Sequence, residues 1–141
     1  MPKIFSHRFT IPIAANDENG HVNNVAYVQW MQDVATMHSD EQGCTRELYQ
    51  SLNSSWIARS HHIEYLRPAF AGDEIEIQTW VCNLKRASSL RRYRFLNAKD
   101  HSILARAETD WVYVNTDTGR PRKIDSQVSE AFILVPLEEE P

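Results

Sequence analysis

Asp17, Asn19 and His21 stand at positions i, i+2 and i+4 of the segment NDENGHVNNVAYVQW, residues 16–30. Asn23 and Asn24 follow directly, and an apolar run in helical period begins there. A carboxylate in this setting can act as general base towards water or attack a carbonyl carbon itself. A helix start offers unpaired backbone N–H groups and the positive end of the helix dipole, which suits a developing oxyanion. Asn19 and His21 can orient the carboxylate and hydrogen-bond a tetrahedral intermediate. These are the parts that acyl transfer requires.

Each residue also has a purely structural account. Asn19-Gly20 is a strong turn dipeptide. Asn23 or Asn24 is a good helix N-cap. An acid near the helix start complements the dipole. A cap, however, needs one side chain, and here an acid, an amide and an imidazole precede two more amides.

The surrounding pattern names the elements that hold this segment. Residues 3–13 alternate, with Phe5, His7, Phe9, Ile11 and Ile13 on one face, and read as a strand ending at or just after Pro12. From Tyr27 the period changes. Tyr27, Val28, Trp30, Met31, Val34, Ala35 and Met37 share about half of a helical wheel, which predicts a helix over Asn24–Glu41 stopped by Gly43. A second, short helix is expected over Thr45–Leu52, capped by Thr45. Strands are expected at Trp56–Leu66, Glu74–Asn83, Ser88–Ala98 and Ser102–Asn115, separated by turn-rich segments. Short connections favour antiparallel pairing. A short helix follows Asp125, and LEEEP reads as a solvated tail. One strand, one long apolar helix and four strands predict an α+β domain, a curled antiparallel sheet around the helix. Exposed sheet edges would invite a second subunit.

The chain has 141 residues and reads as a single domain, residues 1–141. Its net charge of −4 gives no global drive towards nucleic acid. No apolar run matches a membrane span, and the N-terminal residues lack a signal-peptide core. The cysteines, Cys44 and Cys82, form no disulfide framework and read as reduced thiols in a cytoplasmic protein.

The motif D-x-N-x-H-V-N-N-V-x-Y-x-x-W, carried by Asp17, Asn19, His21, Val22, Asn23, Asn24, Val25, Tyr27 and Trp30, resembles the hot-dog-fold thioesterases. These include the 4-hydroxybenzoyl-CoA thioesterase-like acyl-CoA thioesterases and the plant-type acyl-ACP thioesterases. HHIEYLRPAFAGDEIEI is similar to the family's second strand, turn and third strand, and VYVNTDTGRPRKI to its last strand and closing turn. The resemblance implies a hot-dog fold and hydrolysis of acyl-CoA or acyl-ACP thioesters in lipid metabolism; no cofactor or metal is expected. It also implies homodimers or homotetramers with active sites at the dimer interface. By position, the catalytic acid falls on Asp17 and its assisting residues on Asn19 and His21. The oxyanion amide falls near Asn24, with Asn23 and Tyr27 as neighbouring substrate-binding positions. The sequence departs from the family in two places. The E-x-A-R segment of many acyl-CoA members is replaced by QDVAT, residues 32–36, with Asp33 on the polar face. The plant enzymes carry two hot-dog repeats, and this chain holds one.

Other features are weaker. Lys85, Arg86, Arg91, Arg92 and Arg94 form a basic stretch without an acid. Its ordinary reading is a solvated hairpin, while Arg92 and Arg94 on one strand face could receive the phosphates of CoA. His61 and His62 point to opposite faces, and no metal-ligand spacing occurs. His38 falls on the apolar side of the helix as a core or interface residue. Two alternative functions stay open: a hot-dog hydratase or dehydratase acting on acyl thioesters, and a non-catalytic acyl-CoA-binding module.

Overall fold

Asn23 sets the start of the long helix. Its backbone is extended, and its side-chain Oδ1 accepts the Val25 N–H at 2.8 Å. Helix α1 then runs over Asn24–Glu41. Its end is as local as its start. Gly43 takes φ +87°, a left-handed conformation that costs a glycine little. The Gly43 N–H donates to the Asp40 carbonyl and the Cys44 N–H to the Ser39 carbonyl, which closes a Schellman motif. The computed structural model describes residues 3–141.

Around α1 lie five strands: β1 (Phe5–Thr10), β2 (Ser54–Tyr65), β3 (Glu74–Val81), β4 (Ser88–Asn97) and β5 (Ile103–Asn115). Two short helices, α2 (Arg46–Ser51) and α3 (Ser126–Ser129), complete the elements that matter here. The strands form one antiparallel sheet in the order β1-β3-β4-β5-β2. This is the expected α+β hot-dog arrangement. Strand β2 lies at one edge and, among the described residues, pairs only with β5, with a register shift between Ala58 and Ser60.

Alternation decides which side chains face the helix. Ile75, Ile77 and Thr79 on β3 and Arg91, Tyr93 and Phe95 on β4 are sealed inside. Tyr27, Met31, Val34 and His38 form the sealed stripe of α1. That stripe is narrower than the half wheel read from the sequence. Val28, Trp30, Ala35 and Met37 are only half-buried, because a single sheet covers the helix from one side. Two further expectations need correction. The first strand stops at Thr10, and Ile13 sits in a 3₁₀ turn, 85% exposed. Proline has no N–H for a ladder, so Pro12 breaks the pairing before the alternation ends. The C-terminal tail is also not loose. Glu140 Oε1 accepts from Trp80 Nε1 at 3.0 Å and Arg92 Nη1 at 2.6 Å, docking the tail on the outer face of the sheet.

Candidate active site

The segment before α1 is a closed loop held at both ends. The Asp17 N–H donates to the His21 carbonyl at 2.7 Å, and Gly20 N–H to the Asp17 carbonyl at 3.2 Å. The loop is fastened to the body by Val22 N–H to Ala69 O at 2.9 Å and Asn23 N–H to Ala15 O at 2.6 Å. Asn16 Oδ1 accepts the Ala71 N–H at 3.2 Å. Val22 is buried and acts as the plug.

Within this frame Asp17 has a defined posture. Its Oδ1 accepts the Asn19 N–H at 2.8 Å and the His21 N–H at 3.2 Å. Among the described residues, Oδ2 accepts from none, so one carboxylate oxygen is tied and the other makes no hydrogen bond. Asp17, Asn19, His21, Asn23 and Asn24 are all exposed. The His21 ring meets Phe70 edge-on, with centroids 5.5 Å apart. Asn23 is committed as the cap of α1. The Asn24 N–H, the first of the helix, donates to no acceptor among the described residues, as expected of an uncapped donor in the first turn. Tyr27 lies deeper, 3% exposed, with its ring against Trp30, Tyr65 and Phe95. Burial, helped by the neighbouring Tyr65, pushes its phenol up to about 12, so it stays protonated at neutral pH.

The loop thus brings together Asp17, Asn19 and His21, and the Asn24 amide follows at the start of α1. Tyr27 packs in the core beneath them. Arg92 and Arg94 lie elsewhere, on the sheet face turned away from α1. Arg92 is paired with Glu108 at 3.2 Å and Glu140 at 2.6 Å, and Arg94 Nε donates to Gln78 at 2.9 Å. Asp33 accepts from Gln29 at 2.9 Å on the polar side of α1. Among the described residues no group of His, Cys, Asp or Glu is placed to hold a metal ion, and no helix is long and apolar enough to cross a membrane.

A second region opens further along the helix. A cleft of about 1170 Å³ runs between the C-terminal half of α1, α2 and the edge strand β2. Gln32, Tyr49, Trp56 and Trp111 are among its walls, and residues 16–30 do not line it. At ~1.5 Å per residue, Gln32 is roughly 12 Å along the axis from Asn24. The Tyr49 hydroxyl is fixed by Ser39 Oγ at 3.0 Å and Trp56 Nε1 at 3.1 Å. Arg91 also lines this cleft. The solvated-hairpin reading of the basic stretch fails for this residue, which is 5% exposed. The signal was present in the alternation, since Arg91 shares its face with Tyr93 and Phe95.

The chain is similar to known proteins over most of its length. The family model described as the thioesterase-like superfamily matches residues 11–132. Over 111 residues, 74% of its length, the chain is 30% identical to the chloroplastic oleoyl-acyl carrier protein thioesterase 1 of Arabidopsis thaliana. It spans 30% of the length of that plant relative. It is 24% identical to the Escherichia coli acyl-CoA thioester hydrolase YbgC over 116 residues, covering 82% of this chain and 86% of the relative. The crystal structure of Slr0204, a 1,4-dihydroxy-2-naphthoyl-CoA thioesterase from Synechocystis, superposes with a TM-score of 0.83 over 91% of this chain and 94% of its own. At 16% identity, that likeness shows the hot-dog fold.

Proposed function

This chain belongs to the thioesterase-like superfamily, and on that premise we propose that it hydrolyses an acyl-CoA or acyl-ACP thioester to a free acid and a thiol. One observation carries the reading: a loop fastened at both ends holds the exposed Asp17, one oxygen of which accepts from no described residue, in the segment that leads into a helix whose first amide, Asn24 N–H, is likewise unpaired among the described residues. Asp17 takes a proton from water as the water oxygen attacks the thioester carbonyl. The Asn24 amide receives the oxyanion. When the intermediate collapses, the C–S bond breaks and the proton passes to the leaving thiolate. Direct attack by the Asp17 carboxylate is the other route to the same products, through an anhydride that water then opens. Asn19 and His21 act as polar supports around the intermediate, and Asn23 keeps the helix start in register.

One protomer leaves this machinery uncovered. Ile13, Val25 and Phe70, neighbours in sequence or contact of the loop, are 85%, 72% and 43% exposed. The edge strand β2 carries Ile57, 50% exposed, and a ladder side unpaired among the described residues. We assign the cover to a second copy pairing along β2, which makes the enzyme a homodimer or a dimer of dimers. Both carriers occur among the named relatives, ACP in the plant enzyme and CoA in YbgC. For CoA, Arg92 and Arg94 are the proposed phosphate contacts, with phosphate displacing Glu140 from Arg92.

A thiol-release screen over short, medium, long and aromatic acyl-CoAs and acyl-ACPs tests the reading. Turnover of at least one class is expected. Binding without thiol release, or turnover only of β-hydroxyacyl substrates by dehydration, refutes it.

A further inference from the structure

Arg91 is a buried cation paired with no anion among the described residues. It projects from the inner face of β4, opposite Val81 on β3 and Thr109 on β5. Its Nη1 donates to Thr79 Oγ1 at 3.1 Å and to His38 Nδ1 at 3.0 Å. The guanidinium carbon lies 5.9 Å from the Phe132 ring centroid.

Every one of these partners is neutral. An arginine only donates, so His38 accepts at Nδ1 and carries its proton on Nε2. The Thr79 hydroxyl gives its own proton to the Arg92 carbonyl at 3.0 Å and so turns a lone pair to Arg91. Among the described residues no carboxylate pairs with Arg91. Burial pulls its pKa down, the mark of a charge held away from water. A buried guanidinium is normally matched by an acid, because desolvation of an unmatched charge is costly.

The two remaining nitrogens show where the match comes from. Nε and Nη2 make no hydrogen bond with the described residues, yet neither is among the sealed, unpaired polar atoms. Arg91 lines the cleft, and these two donors are its remaining hydrogen-bonding atoms. They form one edge of the guanidinium fork, the geometry that takes a carboxylate through two parallel hydrogen bonds. The charged residues lining the cleft are Arg46, Arg91 and Asp40, two cations against one exposed acid. The indoles of Trp56 and Trp111 supply apolar wall. The volume of about 1170 Å³ is comparable with sites that enclose drug-sized molecules, about 300–1,000 Å³.

We propose that this cleft receives the acyl group and that Arg91 binds a carboxylate at its far end, so that the preferred substrates are half-thioesters of dicarboxylic acids. The proposal rests on the thioesterase reading for its chemistry and on the cleft alone for its recognition. Residues 16–30 do not line this cleft, so the proposal requires that the second copy assigned to β2 bring one protomer's Asp17 to the other's cleft.

The test compares 7-carboxyheptanoyl-CoA with octanoyl-CoA, which differ only in the terminal group. In the unaltered protein, kcat/KM is expected to favour the carboxyacyl substrate at least tenfold. In Arg91→Met the preference reverses, and in Arg91→Lys, which keeps the charge but loses the fork, it falls to an intermediate value. Equal kcat/KM for the two substrates in the unaltered protein overturns the proposal, as does an unchanged ratio in Arg91→Met. Should Arg91→Met not fold, the unaltered protein together with Arg91→Lys and Thr79→Val decides. If neither thioester is hydrolysed, the acyl-CoA and acyl-ACP screen judges the thioesterase reading separately. Calorimetric affinities of the same two ligands then judge the cleft: tenfold tighter binding of the carboxyacyl form supports it, and equal binding overturns it.

Discussion

Replacing Asp17 with asparagine separates its two roles. In the structure, Oδ1 accepts two backbone N–H groups, from Asn19 and His21, and so shapes the loop. An asparagine carbonyl oxygen can accept both, so Asp17→Asn keeps the loop and removes only the basic carboxylate. Asp17→Ala removes both acceptor contacts as well. At about 0.5–1.5 kcal/mol net per hydrogen bond, alanine should cost roughly 1–3 kcal/mol in stability and asparagine under about 1 kcal/mol. The chemical effect should be the same for both. Loss of a general base typically lowers the rate about 10²–10⁴-fold, or ~2.7–5.4 kcal/mol in the barrier at about 1.36 kcal/mol per decade. The assay is thiol release with the best substrate of the screen, alongside urea denaturation of each variant. Two equal, large falls in kcat with unequal stabilities are expected. Near-normal turnover by folded Asp17→Asn refutes the catalytic assignment. A fall in kcat that merely tracks stability, large for alanine and small for asparagine, shows that the residue serves the loop alone.

Ile57→Lys places a cation on the exposed edge of β2; the dimer dissociation constant should rise at least tenfold by light scattering, with activity falling as the protein is diluted, and an unchanged dimer refutes the edge assignment. Arg92→Ala with Arg94→Ala should raise KM for acyl-CoA severalfold with kcat held, and an unchanged KM removes these residues from carrier binding. Glu140→Gln tests the docked tail. Burial would raise the Glu140 carboxyl, but hydrogen bonds from Arg92 and Trp80 outweigh it and hold the group below its usual value. A depressed carboxyl contributes stability above its unfolded pKa and loses it as pH falls through the folded value. The unaltered protein should therefore exceed Glu140→Gln in Tm at pH 7, with the gap closing below the ordinary glutamate range; a gap constant with pH refutes the pairing.

The local parts of the fold were legible because their causes are local. The bounds of α1 follow from Asn23 capping two residues ahead and Gly43 supplying a left-handed stop, and Thr45 caps α2 by accepting the Leu48 N–H at 3.3 Å. The candidate loop was legible for the same reason: its polar residues lie within eight positions of one another and of the helix they precede. The first strand was misjudged because alternation continues through Ile13 while the ladder partners do not. Its last paired residue, Thr10, faces Glu74 of β3, a residue distant in sequence.

Composition, periodicity and capping chemistry alone set the element order, the long helix and the acid beside its start. The tertiary structure decided what depends on residues far apart in the chain. It put β2 at an open edge, drew Glu140 onto Trp80 and Arg92, and set Arg91 among Thr79, His38 and Phe132 beside a cleft. The physical reason is one of range: a cap or a turn is satisfied by its immediate neighbours, whereas the burial of a charge is settled only when separate strands and a helix close around it.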